Sequence, residues 1–341
     1  MYLKDLVDIQ MGQSPDSKFY NYDKIGLPFY QGKADFGRIN PTPKIWCSKS
    51  KKEAKPNDIL ISVRAPVGDL NINNEQSCIG RGLAAITCKS DVDMMYLYYH
   101  LKYLKPQLSH ISTGSTFESI NRSQLENLII DYKPYSEQIK ISNILQVVQR
   151  QIEVREKLLR LYDLLIKSRF VEMFGIFNIN PNNYNTIKFR DLIEQNNINE
   201  EDLVWLLNLD MIKHNTGEIV EKVYINRQNI PTSSISFKKG TVLYSKLRPY
   251  LNKVVIADEN GYGTSELIPL NSYKNGLTAE YLAFYLRQDS FVEYIKDKVT
   301  GAKMPRVAMD ILRNIDIVQP NCIYQEQFSS LVNHVNKLKF D

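Results

Sequence analysis

The stretch STGSTFESINRSQLENLIIDYKPYSEQ, Ser112–Gln138, has a second version near the other end of the chain, and this repetition decides how the sequence divides. The second version is VTGAKMPRVAMDILRNIDIVQPNCIYQEQ, Val299–Gln327. The Thr-Gly pair and a later leucine recur at one constant offset, which chance rarely produces. Because this offset exceeds the period of solenoid repeats, the pattern indicates a tandem duplication of a whole domain.

Two further pairs of segments extend the match in the same order. NDILISVRAPVGDLNI (57–72) corresponds to GTVLYSKLRPYLNKVVI (240–256), and CIGRGLAAI (78–86) corresponds to YGTSELIPL (262–270). Apolar and β-branched residues around Pro/Gly turns predict short strands in these segments. A tyrosine-rich amphipathic helix follows in each copy, so each copy is predicted to be a mixed α/β domain.

Helical periodicity begins at Ser136, and neither Gly nor Pro interrupts it before Gly175. About 38 helical residues at a rise of 1.5 Å would extend ~57 Å, which is longer than a small domain is wide. A spacer that pairs with another helix is therefore favoured over a packed core helix. The apolar residues predicted to form the seam of this coiled coil are Ile141, Leu145, Val148, Ile152, Leu159, Tyr162 and Ile166.

The predicted fold is α+β, with two tandem homologous mixed α/β domains joined by a long coiled-coil helix and a shorter second helix at the C-terminus. The predicted segments are 1–135 for the first domain, 136–175 for the spacer helix, 176–320 for the second domain and 321–341 for the second helix. The second helix is much shorter than the first and reads as truncated. We expect the uncovered seam between Ile152 and Ile166 to need another protein to bury it.

Composition predicts a folded protein with a mildly basic balance. The chain has 341 residues, 43% of them hydrophobic and 24% charged, and a formal net charge of +5. This charge permits DNA binding but does not prove it. The four cysteines form no CxxC pair, so neither zinc nor a disulfide framework is indicated. No secretory signal and no long apolar run is present, so a cytoplasmic location is expected.

The sequence shows none of the usual catalytic motifs. It has no GxxxxGK[ST] loop, no GxGxxG turn opening a helix and no HExxH pair, and its four histidines are scattered. We therefore predict no catalytic residue and no metal ligand in this chain.

Polar and basic loops recur at equivalent places in both copies and are the candidate DNA-binding sites. Arg, Gln and Asn on loops suit contacts to base edges, whereas Lys, Ser and Thr suit phosphate oxygens. Each loop alone is more often only a turn, and it is the recurrence of these loops in both copies that indicates binding sites. The candidate residues are Gln31, Lys33, Arg64, Arg81, Thr113, Ser115, Lys246, Arg248, Tyr250, Thr264, Ser265, Lys303 and Arg306.

Several of these stretches together resemble the specificity (S) subunit of Type I restriction-modification systems. The most specific passage is PYSEQIKISNILQVVQRQIEVREKLLRLYDLLIKSRFVEMFG (134–175), which is similar to the central conserved helix of that family. GLPFYQGKADFG (26–37) and SKLRPYLNKVVIADENGYGTSELIPL (245–270) are similar to parts of its target recognition domains. The resemblance covers nearly the whole chain.

The resemblance implies a division of labour between this chain and its partners. Each domain would be a target recognition domain that reads one half of a bipartite site in double-stranded DNA, with the long helix as spacer. Methyltransferase (M) subunits would supply adenine methylation with S-adenosylmethionine, and restriction (R) subunits are a further expected partner, using ATP and Mg²⁺. This chain itself would be non-catalytic and hold no cofactor.

Two alternatives from other functional classes remain open at this point. One is a self-contained DNA methyltransferase or nuclease fragment, against which the missing [DNS]PP[YF] tetrapeptide and cofactor turn argue. The other is a coiled-coil scaffold whose duplicated domains bind proteins.

Overall fold

In a computed structural model, which describes residues 1–111, 119–194, 198 and 202–340, the chain divides into two compact units. Unit 1 comprises Met1–Val154 and unit 2 comprises Arg155–Asp341. The longest helix, Tyr135–Phe174, crosses this boundary without a break. The domain limits expected from the sequence stay a prediction.

Unit 1 opens with a short helix and then forms nine strands before its helical part. In chain order its elements are α1 (Leu3–Leu6), β1 (Val7–Met11), β2 (Tyr20–Asn21), β3 (Leu27–Tyr30), β4 (Ile45–Cys47), β5 (Glu53–Ala54), β6 (Ile59–Ser62), β7 (Leu70–Ile72), β8 (Ser77–Ile79), β9 (Leu83–Cys88), α2 (Met94–Tyr103), α3 (Lys105–Ile111), α4 (Arg122–Glu126) and α5 (Tyr135–Phe174).

Two sheets make up the β part of unit 1. One has the strand order β1-β9-β6-β7 and is antiparallel throughout. The other has the order β2-β4-β3-β8-β5, with a parallel pair between β3 and β8. The β6 run Ile59–Ser62 is buried along its whole length, which explains why this strand reads as a continuous apolar segment. Its residues Ile59 and Ile61 pack with Leu97 and Leu101 of α2 in one core.

Unit 2 repeats this succession of elements. After α5 it contains β10 (Asn185–Lys188), α6 (Phe189–Leu192), β11 (Leu203–Leu207), β12 (Val223–Asn226), β13 (Ile235–Phe237), β14 (Val242–Ser245), β15 (Val254–Ile256), β16 (Gly261–Gly263), β17 (Leu267–Leu270), α7 (Ala279–Arg287), α8 (Asp289–Lys296), β18 (Val299–Thr300), β19 (Arg306–Val307), α9 (Met309–Arg313), β20 (Asp316–Gln319) and α10 (Cys322–Phe340).

The sheets of unit 2 follow the same plan as those of unit 1. The order β12-β11-β16-β13 corresponds to β4-β3-β8-β5, including the parallel pair, now between β11 and β16. The order β15-β14-β17 corresponds to β7-β6-β9. Ser245 faces Leu267 across one pair, as Ser62 faces Leu83 in unit 1. The two copies recognised in the sequence therefore build the same local topology.

A buried glutamine anchors the start of the last helix of each copy. The Gln138 side chain donates to the carbonyls of Asp91 (3.1 Å) and Lys133 (2.8 Å) and accepts from the backbone N–H of Asp93 (2.9 Å). In α10, the Gln325 side chain likewise donates to the carbonyls of Gly276 and Pro320 and accepts from the backbone N–H of Thr278. This shared network gives a structural reason for a glutamine at Gln138 in one copy and at Gln325 in the other.

The C-terminal part of α5 is built into the core of unit 2 beside α10. Ile166, Phe170 and Phe174 are buried in one cluster with Phe328 and other apolar residues of α10. The rings of Phe170 and Phe328 lie 5.2 Å apart between centroids in an edge-to-face arrangement. α10 spans 19 residues and α5 spans 40, so the prediction of an α+β fold with a long helix between sheet-rich domains and a shorter C-terminal helix is confirmed.

Candidate nucleic-acid interface

In unit 1, four of the predicted residues line one recess. The turn after β3 contributes Gln31 and Lys33, the loop after β6 contributes Arg64, and the turn before β9 contributes Arg81. The recess has a volume of about 320 Å³, and all four side chains belong to exposed residues. A polar, cationic recess of this kind suits phosphate groups and base edges better than an apolar ligand.

The backbone under this recess is tightly fixed. The carboxylate of Asp35 accepts from the N–H groups of Gln31 (2.7 Å) and Gly32 (3.3 Å). The N–H of Gly82 donates to the carbonyl of Gln31 (3.2 Å), and a Cβ atom on Gly82 would lie only 2.4 Å from that oxygen. Glycine is therefore the only residue that lets the two turns approach so closely.

One carboxylate organises the lysines beside the recess. Asp69 is paired with Lys33 (2.8 Å) and Lys105 (2.6 Å). Burial acts to raise the pKa of Asp69, but the hydrogen bonds from Lys105 and Lys33 outweigh it and hold the pKa below its usual value. Lys33 is thus partly neutralised. Within the described ranges of unit 1, no acidic side chain pairs with Arg64 or Arg81.

Unit 2 brings its predicted basic residues together through a backbone bridge between two loops. Leu247 and Arg306 form an isolated β-bridge, and the N–H of Arg248 donates to the carbonyl of Pro305 (2.8 Å). The Arg248 guanidinium reaches the carbonyl of Lys303 at 3.4 Å. Lys246, Arg248, Lys303 and Arg306 therefore lie on two adjoining loops.

Arg306 differs from the other predicted arginines because a carboxylate holds it. Its Nε lies 2.9 Å and 3.1 Å from the two carboxylate oxygens of Glu266, and its Nη2 lies 2.7 Å from Oε1. The hydrogen bonds and the charge of Glu266 raise the pKa of the Arg306 guanidinium above its ordinary value. The pair is bidentate, which is the strongest geometry for an arginine and a carboxylate.

Two of the remaining predicted residues of unit 2, Thr264 and Ser265, directly precede Glu266 in the chain. The N–H of Thr264 donates to the carbonyl of Leu207 (3.3 Å), and Ser265 is exposed on the same turn. The Tyr250 side chain is 41% exposed on a short turn after Arg248. Thr113 and Ser115 lie outside the described residues.

The predicted seam of α5 has two different surroundings. Ile166 is buried, and Ile141, Leu159 and Tyr162 are half-buried. Leu145, Val148 and Ile152 are between 36% and 49% exposed. Apolar residues outside the seam are also exposed along this helix, so its middle presents a wide apolar surface; these residues are Ile144, Val147, Val154, Leu158, Leu161, Leu164 and Leu165.

The sequence reasoning assigned no role to the acidic residues of these loops. Asp35, Asp69 and Glu266 each fix a turn or a basic side chain that was predicted. Their signal was present in the sequence, since each lies within a few residues of a predicted candidate, but pairing across loops is visible only in the folded chain.

Two kinds of feature are absent from the part of the chain that the structure describes. No group of three or more His, Cys, Asp or Glu side chains there could hold a metal ion. No described helix has the length and apolar character needed to cross a membrane. All four cysteines are free thiols.

One family model and several known proteins are similar to this chain. The family model described as Type I restriction modification DNA specificity domain matches residues 1–161. The MjaX specificity subunit of a type I restriction enzyme from Methanocaldococcus jannaschii is 45% identical over 150 residues, a match that spans 44% of this chain and 35% of that relative. The MjaIX specificity subunit of the same organism is 22% identical over 97% of this chain and 84% of its own length.

A solved structure extends the similarity in fold to both units. The crystal structure of the S subunit of a Type I restriction-modification system from M. genitalium has a TM-score of 0.60 and covers 99% of this chain and 89% of that chain. Its sequence identity is 14%, so it supports the fold alone. The family match and the two relatives confirm the resemblance predicted from the sequence: the chain is similar to the type I restriction enzyme specificity subunits.

Proposed function

We propose that this chain is the DNA sequence-recognition subunit of a Type I restriction-modification complex, in which each unit reads one half of a bipartite site. The observation that carries the proposal is that both units contain the same arrangement of loops. In both units the loop after β6 or β14 is exposed and carries arginine, at Arg64 in unit 1 and at Arg248 in unit 2. A duplicated frame with different side chains suits two half-sites of different sequence.

The side chains divide into two roles under this proposal. Arg64, Arg81, Gln31 and Arg306 present guanidinium or amide groups that match the hydrogen-bonding edges of guanine and adenine. Lys33, Lys246 and Lys303, with Thr264 and Ser265, would fix the DNA backbone through phosphate oxygens. Arg248 serves either role from its loop, and Tyr250 would pack against sugar or base.

We further propose that the chemistry belongs to partner subunits. Methyltransferase subunits would bring S-adenosylmethionine, and restriction subunits would bring ATP and Mg²⁺. The exposed apolar residues in the middle of α5 support a partner, because many exposed large apolar side chains close together are typical of protein–protein contact surfaces. This chain would position the partner on the site that its two units have selected.

The test combines the purified chain with its methyltransferase subunits and a randomised duplex library. We expect enrichment of a bipartite site with a fixed spacing, and methyl transfer from labelled S-adenosylmethionine only when the partner is present. Methyl transfer by the chain alone would indicate a self-contained methyltransferase. Absence of any enriched sequence would favour the protein-binding scaffold instead.

A further inference from the structure

The loops of the two units share a hydrogen-bonded frame in which one position carries different residues. In unit 1 the N–H of Val63 donates to the carbonyl of Gly82 (2.9 Å), and in unit 2 the N–H of Lys246 donates to the carbonyl of Glu266 (3.0 Å). Gly82 is followed by Leu83, which faces Ser62 at the end of β6. Glu266 is followed in the same way by Leu267, which faces Ser245 at the end of β14. Glu266 therefore occupies in unit 2 the place that Gly82 occupies in unit 1.

The partner of Glu266 also has a different counterpart in unit 1. The bridge between Leu247 and Arg306 corresponds to the bridge between Arg64 and Ser119. Unit 1 thus has glycine and serine where unit 2 has the Glu266–Arg306 pair, and a side chain at Gly82 would collide with the Gln31 carbonyl. The Glu266–Arg306 pair is therefore specific to unit 2, because unit 1 forms the same backbone hydrogen bonds between these loops without it.

The geometry of the pair leaves one edge of the guanidinium available. Glu266 engages Nε and Nη2 of Arg306 and is itself mostly buried, with its side chain 18% exposed, while the arginine side chain is 42% exposed. No hydrogen bond or ion pair of Nη1 is found among the described residues. The edge formed by Nη1 and Nη2 is the one that an arginine can offer as two parallel donors to a flat acceptor pair.

We propose that Glu266 is a positioning residue that fixes Arg306 so that its free edge reads a guanine in the half-site bound by unit 2. This inference rests on the proposed function. Guanine presents O6 and N7 in the major groove, the acceptor pair that arginine recognises most often. Holding the guanidinium in advance reduces the rotamer freedom that must be lost on binding.

A phosphate contact explains the pair less well than a base contact does. A phosphate accepts donors from many directions, so it depends less on a fixed guanidinium plane than a flat base edge does. The carboxylate of Glu266 would also repel the phosphate charge at close range. A base edge carries no net charge and rewards the fixed plane, because both of its hydrogen bonds must form together.

The experiment is a binding-site selection with the full chain and its methyltransferase subunits, comparing wild type with Arg306→Ala, Arg306→Lys and Glu266→Gln. We expect one position of one half-site to select guanine in the wild type. Both arginine variants should lose roughly 5- to 150-fold of that discrimination, the range of a good bidentate contact. Glu266→Gln should reduce it in the same direction while leaving the other half-site unchanged.

A matched control is Asp310→Asn, which removes an exposed carboxylate paired with Arg313 on α9 of the same unit. It should keep the wild-type preference, and thermal unfolding should show that Glu266→Gln remains folded. An equal loss of affinity for every sequence in Arg306→Ala, with Arg306→Lys restoring it, would make Arg306 a phosphate contact and overturn the inference.

Two further outcomes separate this inference from the proposed function. The positioning role alone would be overturned by either of two results. In one, Glu266→Gln keeps the wild-type preference for guanine. In the other, the wild type prefers cytosine and Glu266→Gln abolishes that preference. A wild-type complex that enriches no sequence at all would overturn the proposed function and the inference with it.

Discussion

At the scale of single residues, the two glutamines at the helix starts carry the duplication most clearly. Gln138 and Gln325 are both fully buried, and each satisfies three backbone groups that would otherwise lack partners. A polar group that is shielded from water and lacks a partner is costly, so a fully buried side chain that bonds three partly buried backbone groups stabilises its surroundings more than a single hydrogen bond would. The sequence showed that the glutamine recurs but could not show what it bonds.

Replacing Gln138 with alanine should therefore destabilise unit 1 by about 2 kcal/mol, since three partly buried backbone groups lose their partner together. Urea unfolding, followed by the fluorescence of Trp46 in a Trp205→Phe background, measures this loss. Gln151→Ala is the matched control, because Gln151 is exposed on the same helix and its loss should change stability little. Equal stability of the two variants would contradict the anchoring role.

At the scale of elements, α5 belongs to two packing environments. Its last turns are buried among aromatic rings of unit 2, where Phe170 lies 5.5 Å from Tyr281 and 5.2 Å from Phe328 between ring centroids. Its middle exposes apolar residues instead. Periodicity predicted the helix and its approximate length because both depend on local sequence. It could not separate Ile166, which is buried, from Ile152, which is exposed, because burial depends on elements far away in the chain.

Phe170→Ala should remove about 3–5 kcal/mol from the stability of unit 2, the range for truncating a large aromatic side chain in a core. Val171 is the next residue on the same helix and is 45% exposed. The free energy of unfolding of Val171→Ala should therefore stay within about 0.5 kcal/mol of wild type. Denaturant unfolding reported by Trp205 distinguishes the two. A small effect of Phe170→Ala would mean that the core around α10 can close over the gap.

The exposed part of α5 gives a prediction about assembly. The double variant Leu161→Gln/Leu165→Gln changes side chains that are 48% and 49% exposed, so the melting temperature of the chain should change little. Co-purification with methyltransferase subunits should be lost if this surface is the docking site. Arg160→Ala, a neighbouring change at an exposed polar residue, should keep the complex. Retention of the complex by the leucine variant would place the partner elsewhere.

At the scale of the whole molecule, duplication makes the two units independently alterable. Arg64→Ala should relax base preference in one half-site, and Arg248→Ala should relax it in the other, each by ~1–3 kcal/mol if the arginine reads a base. Binding-site selection on both variants, each compared with wild type, shows which half-site responds. A uniform loss of affinity over all sequences would instead identify a phosphate contact, with a smaller salt dependence than wild type.

The order of domains and the doubled topology could be predicted from the sequence, because repeated segments at one offset must build similar structures. The side-chain arrangement of the two candidate DNA-binding surfaces could not be predicted from the sequence. Gly82 and Glu266 align in the repeat, yet their different consequences arise from approach distances and from the reach of Arg306 across loops. Such details depend on tertiary geometry that no local pattern encodes.

The way each unit closes has a consequence for synthesis on the ribosome. The amino group of Met1 donates to the carbonyl of Ile130 (2.9 Å), and β10 pairs with β20 far along the chain. The first residues of either copy can therefore form these backbone hydrogen bonds only after the last segment of that copy has been synthesised. In unit 1, β1 can pair with β9 once Cys88 has been made, but the residues before β1 lack these backbone partners until Leu128 and Ile130 are made. A nascent chain that stalls before Leu128 should therefore remain sensitive to protease at its first residues, even though most of the copy is already made.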